Sequence, residues 1–203
     1  MHDASLSINA FLDAAAAKQP TPGGGSIAAL TGALAASMGE MVLNYSVQKK
    51  DLQAHRSQLE FALGEFHRAR HLLLALMVED QAAYASLTEA RKQGGGSAFD
   101  VALLASIRVP QATGATAIAL LEISGKLVDI VNRHLLSDLA VCADLAMAAA
   151  RCASYNIRAN LPDVTDPAER DRFNQYADQL VQRGVELIRQ LGPRIWAKAT
   201  GAK

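Results

Sequence analysis

Apolar residues recur at helical spacing along nearly the whole chain, and no alternating run persists long enough to predict a strand. Ser7 precedes Ile8, Phe11 and Leu12, which share one side of a first helix that the serine can cap. Pro20-Thr21-Pro22 cannot continue that helix, so it stops near Lys18. Gly23-Gly24-Gly25-Ser26 opens a second helix, with Ser26 as its expected cap. Within it Ala28, Gly32, Ala35 and Gly39 form a stripe where another backbone can pack closely. A helical glycine costs about 1 kcal/mol relative to alanine, which such close packing offsets.

The pattern predicts a long third helix starting at Asp51, carried by Leu59, Ala62, Phe66, Leu73, Leu76, Met77 and Tyr84. Arg91-Lys92 and then Gly94-Gly95-Gly96 mark its end. Ser97 begins a helix expected to be interrupted at Pro110, followed by a stretch from Gln111 to Leu136 and another from Ser137 or Asp138 to about Asn156. Asn160 to Thr165 reads as a loop. Asp166-Pro167-Ala168-Glu169 reads as a strong start for a last helix, expected to end at Gly192-Pro193. The fold class is therefore all-α, a multi-helix bundle in one domain over 1–203, without a convincing linker.

Composition narrows the choice of partners. The 203 residues carry 20 basic and 20 acidic side chains, a formal net charge of zero, which argues against a nucleic-acid partner. Hydrophobic residues make up 50% but aromatics only 5%, and 39 residues are alanine, so the core is built from small side chains. Faces so rich in alanine and glycine imply a partner surface, and a homodimer is expected. Cys142 and Cys152 fall ten apart on one helix, about 15 Å along its axis, too far for a disulfide. The run Ile27 to Val47 has a single charge, Glu40, yet its many small and polar residues favour a buried helix over a membrane span. Met1 to Leu12 holds acidic Asp3 and no basic segment, so no secretory signal is read and a cytoplasmic location is expected.

Several positions invite chemistry. Glycine-rich helix starts can receive anions, though neither GGGS string fits a phosphate-binding P-loop, and a flexible turn is the plainer alternative. His67 and His71 have metal-compatible spacing, but Arg68 and Arg70 between them would repel a cation; no metal site is expected. Asp80 interrupts the apolar stretch Leu72 to Ala85, sharing a face with Leu76 and Tyr84; it serves either catalysis or a structural pair with a lysine. Asn132, Ser137 and Asp138 form another polar interruption, for which capping at a helix junction is the alternative. Lys49-Lys50 ends the second helix, where cations suit the dipole.

Read together, these residues resemble the cyclodeaminase/cyclohydrolase family of folate enzymes. Phe11-Leu12-Asp13 followed by Pro20-Thr21-Pro22-Gly23-Gly24-Gly25-Ser26 is the most specific match, with Met41-Val42 and Lys49-Lys50 in the expected places. Glu79-Asp80-Gln81-Ala82, Pro110, Asn132 with Ser137-Asp138, and Asn156-Ile157-Arg158-Ala159-Asn160-Leu161 follow in family order. Gln48, Val78 and Arg133-His134-Leu135 depart from the pattern; at Val78 the family often has an acid.

The resemblance implies a helical homodimer acting on a tetrahydrofolate one-carbon derivative, without a cofactor. Hydrolysis of 5,10-methenyltetrahydrofolate to 10-formyltetrahydrofolate is the leading expectation. Cyclodeamination of 5-formiminotetrahydrofolate, or folate binding without catalysis, are the alternatives. Asp80, Asp138 and Lys49 are the expected catalytic residues. Thr21, Pro22, Gly23, Gly24, Gly25, Ser26, Lys50, Asn132 and Ser137 are expected to bind substrate. A shared pocket for Asp80 and Asp138 would let unequal surroundings separate an acid from a base.

Overall fold

The computed structural model describes residues 7–94 and 96–200. Met1 to Leu6, on which much of the signal-peptide reading rests, and Gly95 of the second glycine string lie outside them. Six α-helices follow one another: α1 (Ile8–Ala16), α2 (Gly24–Val47), α3 (Arg56–Lys92), α4 (Ser97–Leu127), α5 (Leu136–Asn160) and α6 (Pro167–Thr200). Short 3-10 turns at Lys50–His55, Arg133–Leu135 and Leu161–Asp163 join them, and no strand occurs among the described residues. The all-α reading stands.

Helix α2 occupies the middle, packed most extensively on α3 and α5; α4 covers α3 and α5, and α6 covers α5 and α4. The small-residue stripe makes this possible. A Cβ at Gly39 would lie 2.8 Å from Phe66 Cζ and closer still to two other ring atoms, so the fully buried ring rests on bare backbone. Ala28, Gly32 and Ala35 are buried on the same helix. Leu43, Leu59, Leu73, Leu121 and Leu139 complete the core around that contact. Burying each such side chain contributes about 1.5–3 kcal/mol. Both α2 and α4 are long and apolar enough to cross a membrane by length and composition alone, but α2 is the bundle's central packing element.

Boundaries differ from the sequence expectation where tertiary contacts outweigh local signals. Ser7 does cap α1, accepting from the Ala10 amide at 3.2 Å, and Asp166 accepts from Ala168 at 2.9 Å at the start of α6. Helix α1 ends at Ala16, near the expected Lys18, whereas α3 begins at Arg56 after a 3-10 turn rather than at Asp51. Pro110 does not break α4. The carbonyl its missing N–H would have served, that of Ser106, accepts from Asn160 Nδ2 at 3.1 Å instead. Nor does α6 end at Pro193: Leu191 and Ile195 are buried, and Arg194 bonds the Gly125 carbonyl at 3.0 Å and Asp129 at 2.9 Å. Helix α5 extends through Asn160, so that residue is helical rather than part of a loop. Cys142 and Cys152 both lie on α5 and are free thiols, and burial pushes Cys142 up to about 11.

Candidate active site

Helix α2 begins at Gly24, two residues before the serine expected to cap it, with Gly23 in extended backbone as N-cap. Its first intrahelical bond runs from the Ile27 amide to the Gly23 carbonyl at 3.1 Å. The amides of Gly24, Gly25 and Ser26 therefore lack intrahelical partners and carry the positive end of the helix dipole. The anion that meets them belongs to the protein. Asp80, projecting from the middle of α3, accepts from Ser26 Oγ at 2.9 Å and from the Ser26 backbone amide. Ser26 Oγ also lies 3.3 Å from the Met77 carbonyl, one turn before Asp80 on α3.

Gly25 lies directly beneath this carboxylate. A Cβ there would sit 2.5 Å from Asp80 Cγ, 2.9 Å from Oδ2 and closer still to Oδ1, so only glycine lets the carboxylate reach the helix end. Burial raises the Asp80 pKa above the ordinary carboxylate range, and the two Ser26 hydrogen bonds oppose that rise. The result is a half-buried carboxylate held in one orientation, with a hydroxyl rather than a lysine as its partner.

Asp80 opens into a cavity of about 250 Å³ between the Pro20–Gly25 segment, α3, α4 and α5, with Tyr84, Ser106, Asn156 and Asn160 on its walls. Past Thr21 and Tyr84 it adjoins a trough of about 360 Å³ that ends near Lys92. A larger groove of about 930 Å³ between α3 and α4 is alanine-rich, and its ionisable lining residues, Glu79 and Glu89, are exposed. The half-buried carboxylate lies in the small cavity, not in the large groove.

Thr21, Gly23, Gly24, Gly25 and Asp80 meet in this cavity, with Pro22 and Ser26 buried behind them. Lys49, Lys50, Asn132, Ser137 and Asp138 do not. Ser46, near the far end of α2, accepts from the Asn132 amide at 3.0 Å. Ser26 and Ser46 are 20 residues apart on one helix, about 30 Å. Helix α5 runs back from that end, so Asp138 stands about 27 Å along it from Asn156, at 1.5 Å per residue. The expectation of a pocket shared by Asp80 and Asp138 thus fails within one chain, because the central helix separates them by its length.

At the far end Lys49 pairs with Asp51 at 3.7 Å, Lys50 is exposed, and Asn132 caps the 3-10 turn by accepting from the His134 amide at 3.2 Å. Ser137 and Asp138 lie inside the first turn of α5 and do not cap it. His67 faces Glu40 at 3.3 Å and stacks edge-on with His71, beside Arg70. Among the described residues no three His, Cys, Asp or Glu side chains are grouped to hold a metal.

Tyr84, Ser106, Asn156 and Asn160 all line the cavity, yet none is expected there from the sequence. For the asparagines a signal existed: two amides four apart near the end of an apolar helix share one face. Ser106 carried none, since only the packing of α4 against α3 and α5 brings it to the cavity.

Comparison with known proteins agrees with this architecture. The methenyltetrahydrofolate cyclohydrolase of Methylorubrum extorquens is 26% identical over 188 residues, 88% of this chain and 90% of that enzyme. The formimidoyltransferase-cyclodeaminase of Gallus gallus is 29% identical over 192 residues, 90% of this chain but 35% of the larger enzyme. The crystal structure of formiminotetrahydrofolate cyclodeaminase from Thermotoga maritima superposes with a TM-score of 0.84 at 26% identity, over 97% of each chain. Residues 7–179 match the sequence family described as formiminotransferase-cyclodeaminase, and the chain belongs to that family.

Proposed function

We propose that the chain hydrolyses 5,10-methenyltetrahydrofolate to 10-formyltetrahydrofolate, with Asp80 as the base. The observation that carries this reading is the Asp80 carboxylate, clamped by Ser26 over Gly25 and facing a small cavity. The bridge carbon of the substrate is an amidinium, already electrophilic, so the reading needs no metal or other cofactor. Asp80 takes a proton from water as the water oxygen bonds to that carbon. N5 is then protonated, its bond to the carbon breaks, and loss of the hydroxyl proton leaves the formyl group on N10. Overall, cation plus water gives the formyl product plus one proton. A base with a raised pKa suits this work at neutral pH, and the negative carboxylate favours the bound cation. Thr21, Gly23 and Gly24 wall the substrate beside it, with Pro22 buried behind them.

The sequence similarity to the Methylorubrum enzyme favours hydrolysis. The fold match to the Thermotoga cyclodeaminase favours a second reading, ring closure of 5-formiminotetrahydrofolate with release of ammonia, through the same kind of tetrahedral carbon. Purified protein given each substrate separates them: loss of methenyl absorbance above the uncatalysed rate supports hydrolysis, and ammonia release from the formimino compound supports cyclodeamination. Neither signal would refute both.

The working unit in this reading is a cytoplasmic homodimer. Ile27, Leu34 and Tyr45 are exposed on α2, and half-buried Leu30, Met38 and Met41 fall between them at intervals of three or four residues. This is one continuous apolar stripe along the central helix, a surface that invites burial. A two-fold axis midway between Ser26 and Ser46 would lay α2 antiparallel on its copy. That arrangement carries the partner's Lys49, Lys50 and Asp138 to the Asp80 end, uniting residues that one chain keeps about 27–30 Å apart.

A further inference from the structure

Asn156 and Asn160 stand one turn apart at the end of α5 and line the Asp80 cavity. Their hydrogen bonds fix which way each amide is turned. Asn156 Nδ2 donates to the Cys152 carbonyl at 2.8 Å. Asn160 Nδ2 donates to the Asn156 carbonyl at 3.0 Å and to the Ser106 carbonyl at 3.1 Å, the acceptor that Pro110 leaves unserved. Backbone carbonyls only accept, so both NH₂ groups are turned to backbone, Asn156 keeping one further N–H, and both amide oxygens are left over. Neither Oδ1 meets a protein donor among the described residues. Asn156 Oδ1 faces Gly24, 3.2 Å from where a Cβ would stand. Ser106 Oγ, in the same wall, already donates to the Ala102 carbonyl at 3.0 Å and keeps its lone pairs. This wall presents mostly acceptors. A ligand pairs with them by bringing hydrogen-bond donors, such as N–H groups, to this side of the cavity.

We propose that the Asn156 and Asn160 amide oxygens accept from the 2-amino group and adjacent N3–H of a pterin, and so set the site's specificity for that ring. This rests on the folate reading above. The pyrimidine ring of a reduced pterin carries those donors side by side. An analogue with an oxygen or a methyl group in place of the 2-amino group would leave the fixed acceptors opposed or unanswered. Rejection is steep at such sites because the protein's polar atoms cannot turn to repair the mismatch. Asn160 is the more tightly fixed of the two, since turning its amide would also strip the Ser106 carbonyl within α4. The ring is thereby held by α5 while Asp80 addresses the one-carbon bridge.

The test compares 5,10-methenyltetrahydrofolate with its 2-desamino-2-methyl analogue on wild type, Asn156→Ala and Asn156→Asp. The readout is the ratio of KM values for the two compounds, which a merely structural role would leave unchanged. Wild type should show a ratio of about tenfold or more. Asn156→Ala should bring it to within about threefold of unity, and Asn156→Asp, which keeps an acceptor, should retain it. A wild type indifferent to the analogue overturns the proposal. So does a folded Asn156→Ala with undiminished discrimination. If Asn156→Ala does not fold, wild type and Asn156→Asp decide, since loss of discrimination in the latter also overturns it. Absence of turnover and binding for both compounds in wild type would instead sink the folate reading, and this inference with it.

Discussion

Replacing Gly25 by alanine perturbs the candidate site at one atom. The added Cβ would lie 2.5 Å from Asp80 Cγ, whereas ordinary carbon contacts begin near 3.5 Å, so the carboxylate must retreat by about 1 Å. Its 2.9 Å bond to Ser26 Oγ then stretches beyond hydrogen-bonding range. A misplacement of about 1 Å at a reacting group is sufficient to cost about 10²-fold in rate. Stability moves far less. Losing hydrogen bonds to a charged group costs about 1.5–3 kcal/mol each, while alanine recovers up to about 1 kcal/mol over glycine in a helix and the displaced carboxylate regains some water. Gly125→Ala is the control, because a Cβ at this position of α4, outside the cavity, would meet nothing within 4 Å. Turnover of methenyltetrahydrofolate should fall about 10²-fold for Gly25→Ala and stay within about threefold of wild type for Gly125→Ala, both with intact helical circular dichroism. A folded Gly25→Ala enzyme working within about threefold of wild type would refute the placement of Asp80 at the reacting centre.

Further predictions concern the burial of Asp80, the Asn160 contact and the dimer. Burial raises the Asp80 pKa in the folded chain, so its contribution to stability is fully present below the unfolded value near 3.9 and is lost as pH rises through the raised folded value. Urea unfolding should therefore show wild type losing ground to Asp80→Asn between acid and neutral pH; the opposite trend would contradict the burial argument. Asn160→Ala leaves the Ser106 carbonyl unserved and should cost about 1–3 kcal/mol, and Pro110→Ala, which restores an N–H there, should recover part of it; additive effects in that double-mutant cycle would deny the coupling. Leu34→Lys should halve the mass seen by light scattering and lower turnover with it, and mixed Asp80→Asn and Asp138→Asn chains should regain about a quarter of wild-type activity through heterodimers; a monomeric wild type or an inactive mixture would dismiss the two-chain site.

Much of the helical frame was legible because its signals are local. Ser7 and the Asp166-Pro167 start announce helix ends through their own hydrogen bonds, and the small-residue stripe of α2 announces close packing. Pro110 and Pro193 misled because a proline's effect depends on what serves the orphaned carbonyl and what anchors the chain beyond it. Asn160 and Arg194 do so here from distant parts of the chain. Asp80 was legible as a carboxylate on an apolar face, but Ser26 as its partner was not, since 54 residues separate the two. The family resemblance pairs Asp80 with Asp138, and the length of α2 parts them within one chain. Helix length is a local property, but which ends meet is tertiary.

The claim that Asp80 performs chemistry at the start of α2 is tested most directly by the single-turnover loss of methenyl absorbance in wild type and Asp80→Asn. The account predicts wild-type conversion well above the uncatalysed rate and a loss of at least about 10²-fold on substitution, with substrate still bound. Equal rates in the two proteins, or no conversion by wild type, would contradict it.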